Sequence, residues 1–187
     1  AGLRTPFSRV DGALAAYDAI ELSVPVAQAM SARLGAGMLP DFVVCVPSDE
    51  HQMRAVVDAA FRHDGPVYIR SGRPKAPLVY DATPTDFAFG RAARLRDGGD
   101  ITIIANGLMV EAALVAAERL AADGIEARVL DMATVKPLDE DAVRAAAEET
   151  GAIVVAEEHL IHGGLGARVA QAVCTSHPVP IEFVGIQ

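Results

Sequence analysis

The chain has no tryptophan, only three Tyr and six Phe among 187 residues, and two cysteines. Cys45 and Cys174 stand far apart in the sequence. Both lie in apolar surroundings, so the expectation is two buried free thiols in a reducing cytoplasm. Positive charge is also scarce. Sixteen Lys and Arg face 25 Asp and Glu, a formal net charge of −9, and this argues against nucleic acid as a partner, because phosphate binding needs a basic face. No apolar run reaches the length of a membrane span and no signal peptide opens the chain, so the expectation is a soluble protein with no membrane partner. The five histidines are scattered. His159 and His162 share a loop but lack a third ligand, so no metal site is expected. The absence of a nucleophile elbow excludes serine-hydrolase chemistry of that type.

What is present is apolar and regularly patterned. Hydrophobic residues make up 51% of the chain, with Ala and Val prominent. Residues 1–37 read poorly. Asp11-Gly12 signals a turn, and 13–34 is helix-prone but broken at Pro25. Phe42–Val46 predicts a short buried strand. Ser48 is expected to cap a helix over 49–63 whose face carries Met53, Val56, Val57 and Phe61, with Asp49 and Glu50 favourable to the helix dipole. Gly65-Pro66 turns into a second strand, Val67–Arg70, making a parallel β-α-β unit. Pro74, Pro77 and Pro84 punctuate the next stretch, read as a linker ending in Phe87-Ala88-Phe89-Gly90, which docks on a neighbouring surface.

From residue 100 strands and helices alternate. Strand 101–105 precedes a helix near 109–123 closed by Gly124. Strand 127–131 leads to a helix over 140–150, capped by Asp139 and ended by Gly151. Strand 152–156, helix 165–175 and strand 181–184 complete the series. Such alternation implies a doubly wound, mainly parallel α/β sheet. The strand at 152–156 runs into Glu157-Glu158-His159 and then Gly163, Gly164 and Gly166. The carboxyl end of such a strand is where ligands and partners meet open sheets. Equally, the glycines there could serve only to pack a helix against the sheet.

Leu39-Pro40-Asp41-Phe42-Val43-Val44-Cys45-Val46-Pro47-Ser48-Asp49-Glu50, followed by Gly65-Pro66-Val67-Tyr68-Ile69-Arg70, resembles the second half of the pyrimidine-binding domain of transketolase-type thiamine diphosphate enzymes. Gly99-Asp100-Ile101-Thr102-Ile103-Ile104-Ala105-Asn106-Gly107, Lys136-Pro137-Leu138-Asp139 and Glu157-Glu158-His159 with Gly163-Gly164-Leu165-Gly166 resemble their C-terminal domain. The likeness is strongest to the C-terminal subunit of split transketolases, and deoxyxylulose-phosphate synthases and 2-oxoacid dehydrogenase β-subunits share the architecture. It implies a partial pyrimidine-binding-like domain over 1–73, a linker over 74–98 and a transketolase C-terminal-like domain over 99–187.

The resemblance further implies transfer of a two-carbon ketol unit between sugar phosphates, with thiamine diphosphate as electron sink and Mg²⁺ holding its diphosphate. The cofactor-activating glutamate, the aromatic stacked on the aminopyrimidine and the diphosphate-binding domain would be supplied by the missing half or by a partner N-terminal subunit. Assembly as a homodimer or heterotetramer is implied too. Arg73 matches the family arginine that grips the acceptor phosphate, as suits a guanidinium fork. Arg70 is expected to point into an ion pair instead. Asp11 matches the aspartate that selects acceptor hydroxyl stereochemistry, although a plain Asp-Gly turn explains it equally. The chain departs from the family where a His-Gln pair is replaced by Ala15 and Ala16. That departure supports a rival expectation, a non-catalytic assembly or regulatory module of the same fold.

Overall fold

The computed structural model describes residues 42–72 and 74–187. Residues 42–187 form one compact unit containing two sheets. In chain order its elements are β1 (Val43–Cys45), α1 (Glu50–Arg62), β2 (Val67–Ile69), β3 (Ala93–Arg96), β4 (Ile101–Ala105), α2 (Met109–Ala122), β5 (Ala127–Asp131), β6 (Thr134–Lys136), α3 (Glu140–Thr150), β7 (Ile153–Leu160), α4 (Leu165–Thr175) and β8 (Ile181–Ile186). No helix among the described residues is long and apolar enough to cross a membrane.

The larger sheet has the order β3-β5-β4-β7-β8. Its pairs β4–β5, β4–β7 and β7–β8 are parallel, and β3 adds an antiparallel edge to β5. The doubly wound, mainly parallel architecture is therefore present. Alternation along β4 decides what packs where. Ile103 and Ala105 join Val129, Ala156 and the α2 residues Val110, Ala113 and Ala117 on one face. Ile104 joins Leu130, Val155 and the α3 and α4 residues Val143, Ala146, Ala147, Leu165 and Val169 on the other. The small alanines let both helix layers approach the sheet closely.

The smaller sheet has the order β2-β1-β6, with β1–β2 parallel and β1–β6 antiparallel. The expected β-α-β unit is there. Phe87 and Phe89 pack on its core of Val43, Cys45, Val56 and Ala133, edge to face at 5.7 Å between ring centres, so the docking expected of this segment is observed.

Several local expectations need correction. Asp49, not Ser48, caps α1, because its Oδ1 accepts from Gln52 N at 2.8 Å while the Ser48 side chain faces Gln52 and Asp131. The inward face of α1 is Gln52, Ala55 and Val56, leaving Phe61 at 87% exposure. The helix turns this way because Gln52 is drawn inward by hydrogen bonds that outweigh the apolar stripe. Cys45 is buried, but Cys174 is exposed, one position beyond the inward-facing Val173 of α4. Strands β3 and β6 are additions to the expected series, and β7 runs on to Leu160, which places Glu157-Glu158-His159 inside the strand. The caps of α3 match expectation. Asp139 accepts from Ala142 N at 3.0 Å and Gly151 closes the helix at φ +68°.

Candidate functional site

Asp131 ends β5 with 1% of its surface exposed. Its Oδ2 accepts from Gln52 Nε2 at 2.7 Å, from the Tyr80 hydroxyl at 2.8 Å and from the Ser48 hydroxyl at 3.2 Å. Its Oδ1 meets no donor among the described residues. Gln52 is held in register by its own Oε1, which accepts from Ser48 N at 2.8 Å, and its Nε2 also reaches the Tyr80 oxygen at 3.1 Å. Asp49, besides capping α1, accepts from the backbone amides of Val79 and Tyr80 at 2.8 and 2.9 Å. One carboxylate thus gathers the start of α1, the Pro-rich strap at Tyr80 and the end of β5.

Burial raises the Asp131 carboxyl from 3.8 to about 6; the Tyr80, Gln52 and Ser48 donors pull it down and the Asp49 charge pushes it up. The Tyr80 hydroxyl is pushed up by burial and then by Asp131. Burial, reinforced by the Asp131 charge, pushes the Cys45 thiol up to about 12, which makes it inert as a nucleophile at neutral pH. The junction can hold or release one proton.

A second carboxylate explains the glycine cluster. Glu157 is buried, and its two oxygens accept from Leu165 N at 2.8 Å and Gly166 N at 2.9 Å, the first amides of α4. Its negative charge suits that helix end. A methyl on Gly164 would collide with the Glu157 carboxylate, and one on Gly166 would lie 2.5 Å from Phe183. These two glycines therefore serve close packing. His159 Nδ1 contacts the Leu160 carbonyl at 2.9 Å and stands 4.0 Å from Glu157, so this histidine belongs to the loop's own support.

At the open end of the larger sheet, Gly72 meets Leu108 and Glu158. A Cβ built on Gly72 would fall 2.8 Å from Leu108 Cδ1 and 3.1 Å from Glu158 Oε2. The two residues expected to bind substrate, Arg73 and Asp11, lie outside the described residues, as do Ala15 and Ala16 and the helix-prone segment 13–34. Arg70, expected in an ion pair, makes none among the described residues.

The described residues do not fit thiamine diphosphate with its Mg²⁺. They bring together no group of three His, Cys, Asp or Glu able to hold a metal, and the buried carboxylates Asp131 and Glu157 are already committed to internal donors.

A family model described as "Transketolase, C-terminal domain" matches residues 90–187. The chain is 46% identical over 149 residues to the 6-deoxy-6-sulfo-D-fructose transketolase subunit SqwH of Clostridium sp. (strain MSTE9), covering 80% of this chain and 46% of that protein. It is 44% identical over 147 residues to an apulose-4-phosphate transketolase subunit of Phocaeicola vulgatus, covering 79% and 47%. A solved structure described as "Split gene transketolase, inactive beta4 tetramer" superposes with a TM-score of 0.76 at 45% identity, covering 79% of this chain and 49% of that one. The chain thus spans about half the length of the curated relatives it matches.

Proposed function

The chain belongs to the transketolase C-terminal domain family, and from that premise we propose that it is the C-terminal part of a transketolase-like thiamine diphosphate enzyme. In this reading it takes part in moving a two-carbon ketol unit between sugar phosphates, and does so only with a partner subunit or segment. The observation that carries the reading is its similarity, at 46% and 44% identity, to two proteins that are themselves named as transketolase subunits.

Thiamine diphosphate and Mg²⁺ are then held by the partner, an N-terminal transketolase subunit with the diphosphate-binding domain. The assembly is a homodimer or heterotetramer working in the cytoplasm. This chain's contribution is to the substrate. Arg73 grips the acceptor phosphate, where a guanidinium presents paired donors to two oxygens. Asp11 selects the acceptor hydroxyl by accepting its hydrogen bond. The test is reconstitution of the chain with candidate N-terminal subunits, thiamine diphosphate, Mg²⁺, a ketose phosphate and an aldose phosphate. Ketol transfer by the mixture and not by either component is expected; no transfer with any partner overturns the reading.

A second reading, a non-catalytic assembly module, is favoured by Ala15 and Ala16 standing where the family carries a polar pair. Arg73→Ala separates the two. A catalytic subunit loses about 2 kcal/mol or more of affinity for the phosphorylated acceptor when a charged hydrogen bond is broken, whereas a scaffold is indifferent.

A further inference from the structure

The three donors that reach Asp131 all fall on one oxygen. Gln52 Nε2, the Tyr80 hydroxyl and the Ser48 hydroxyl bond to Oδ2, and among the described residues nothing donates to Oδ1, on a residue 1% exposed. A neutral carboxylic acid fits that distribution, with Oδ2 as the accepting carbonyl and the proton on Oδ1. A carboxylate fits it poorly, because half its charge then lies on a buried oxygen without a donor.

Two effects oppose each other when the proton leaves. Charge strengthens the three bonds to Oδ2, but that charge must also be held away from water. The second effect wins: burial is the largest influence on this carboxyl and holds it at about 6 against an ordinary 3.8. The titratable groups that face it do not reverse the balance. Asp49, at the start of α1, repels the charge. Tyr80 of the strap, itself facing Asp86, and Cys45 of β1 are pushed up by burial and then by Asp131, so both stay neutral beside it.

Of the three elements gathered at Asp131, the strap is the one able to yield. α1 is a helix of 13 residues that buries Gln52, Ala55 and Val56, and β5 is buried at all five of its positions. The strap at Tyr80 lies in neither helix nor strand, and Leu78, Asp81 and Ala82 around it are exposed. Its ties here are the Tyr80 hydroxyl on Asp131, the Val79 and Tyr80 amides on Asp49 at 2.8 and 2.9 Å, and Val79 against the α2-side core.

We propose that Asp131 is a proton-controlled latch on the strap between β2 and β3. With its proton the strap stays closed over the junction; without it the strap lifts at Val79 and Tyr80 and admits water to Oδ1. The open strap returns the carboxyl to water and to its ordinary value, so opening releases a proton. The gap between 3.8 and about 6 then raises the opening constant roughly a hundredfold from acid to neutral pH.

The test is amide hydrogen exchange on the full chain between pH 4.5 and 7.5, each rate divided by the intrinsic rate of an open amide at that pH. The peptide around Val79 and Tyr80 is compared with that of β4, in the wild type and in Asp131→Asn. The strap peptide is expected to exchange ahead of β4 at every pH. Its protection should fall by roughly tenfold or more across the range and level off above about pH 6. Asp131→Asn has no proton to lose there and is expected to keep the strap's protection constant.

Strap and β4 exchanging together would make the opening a global unfolding and overturn the latch. Strap protection that does not change with pH overturns it too, as does a slope that persists in Asp131→Asn. The first two outcomes are read on the wild type alone, so they decide the proposal even where the variant fails to fold.

Discussion

The Tyr80 hydroxyl donates to Asp131 Oδ2 across 2.8 Å, joining a strap without helix or strand to the carboxyl end of β5. Two more donors share that oxygen, and among the described residues none reaches the other. This lopsided arrangement decides how the junction should respond to pH and to substitution.

Asp131 rises from 3.8 to about 6 on folding, chiefly through burial. Between these values the native state binds more protons than the unfolded chain, so stability from this group is greatest below about pH 4. It declines as pH rises towards 6 and is flat above. At roughly 1.4 kcal/mol per pH unit, the decline is on the order of 3 kcal/mol. Asp131→Asn can keep its carbonyl where Oδ2 sits and retain all three donors. Urea unfolding from pH 4.5 to 7.5 should show the slope in the wild type and its loss in the variant. A variant with the same slope would assign the titration elsewhere.

Tyr80→Phe removes one of the three donors and leaves the carboxylate buried. A cost of about 1–3 kcal/mol at pH 7.5 is expected for a lost hydrogen bond to a charge. Because that bond lowers the Asp131 pKa, its loss should also move the pH midpoint of stability upward. Denaturant titration at several pH values measures both.

Gly164→Ala places a methyl against the Glu157 carboxylate that holds the first amides of α4. The expected loss is about 2–4 kcal/mol, through steric displacement of a buried charge from its partners. Gly99→Ala meets nothing within 4 Å and serves as the comparison, with an expected change within about 0.5 kcal/mol. Thermal unfolding of both variants checks the contrast.

The two thiols should differ sharply in reactivity. Cys174 is exposed and Cys45 is buried with its thiol pushed up to about 12. A thiol reagent at pH 7.5 is expected to titrate one cysteine in the native chain and two after denaturation. Fast native labelling of Cys45 would mean that β1 opens readily.

The regular elements are legible in the sequence because local chemistry and burial agree there. Strand 101–105, strand 127–131 and helix 140–150 with its Asp139 and Gly151 caps match residue for residue. The polar junction is not legible, since Ser48, Gln52, Tyr80 and Asp131 each have ordinary local explanations and meet only across separations of up to 83 residues. Gln52 outranks Phe61 for the inward face of α1 for the same reason: its partners are distant in sequence. β3 and β6 stay hidden because short edge strands among prolines carry no period; only their partners β5 and β1 make them strands. Asp11 and Arg73 rest on motif likeness, which speaks of ancestry and carries no geometry.

Only Met132 and Ala133 separate β5 of one sheet from β6 of the other, and both are 1% exposed. Met132 N is tied to Ala105 O at 2.8 Å, and Ala133 O to Val46 N at 2.7 Å. A connector of two buried residues, bonded to Ala105 and to Val46, leaves little slack between the two sheets. Pulling on either one loads the other at once, and the pair should melt as a single mechanical body.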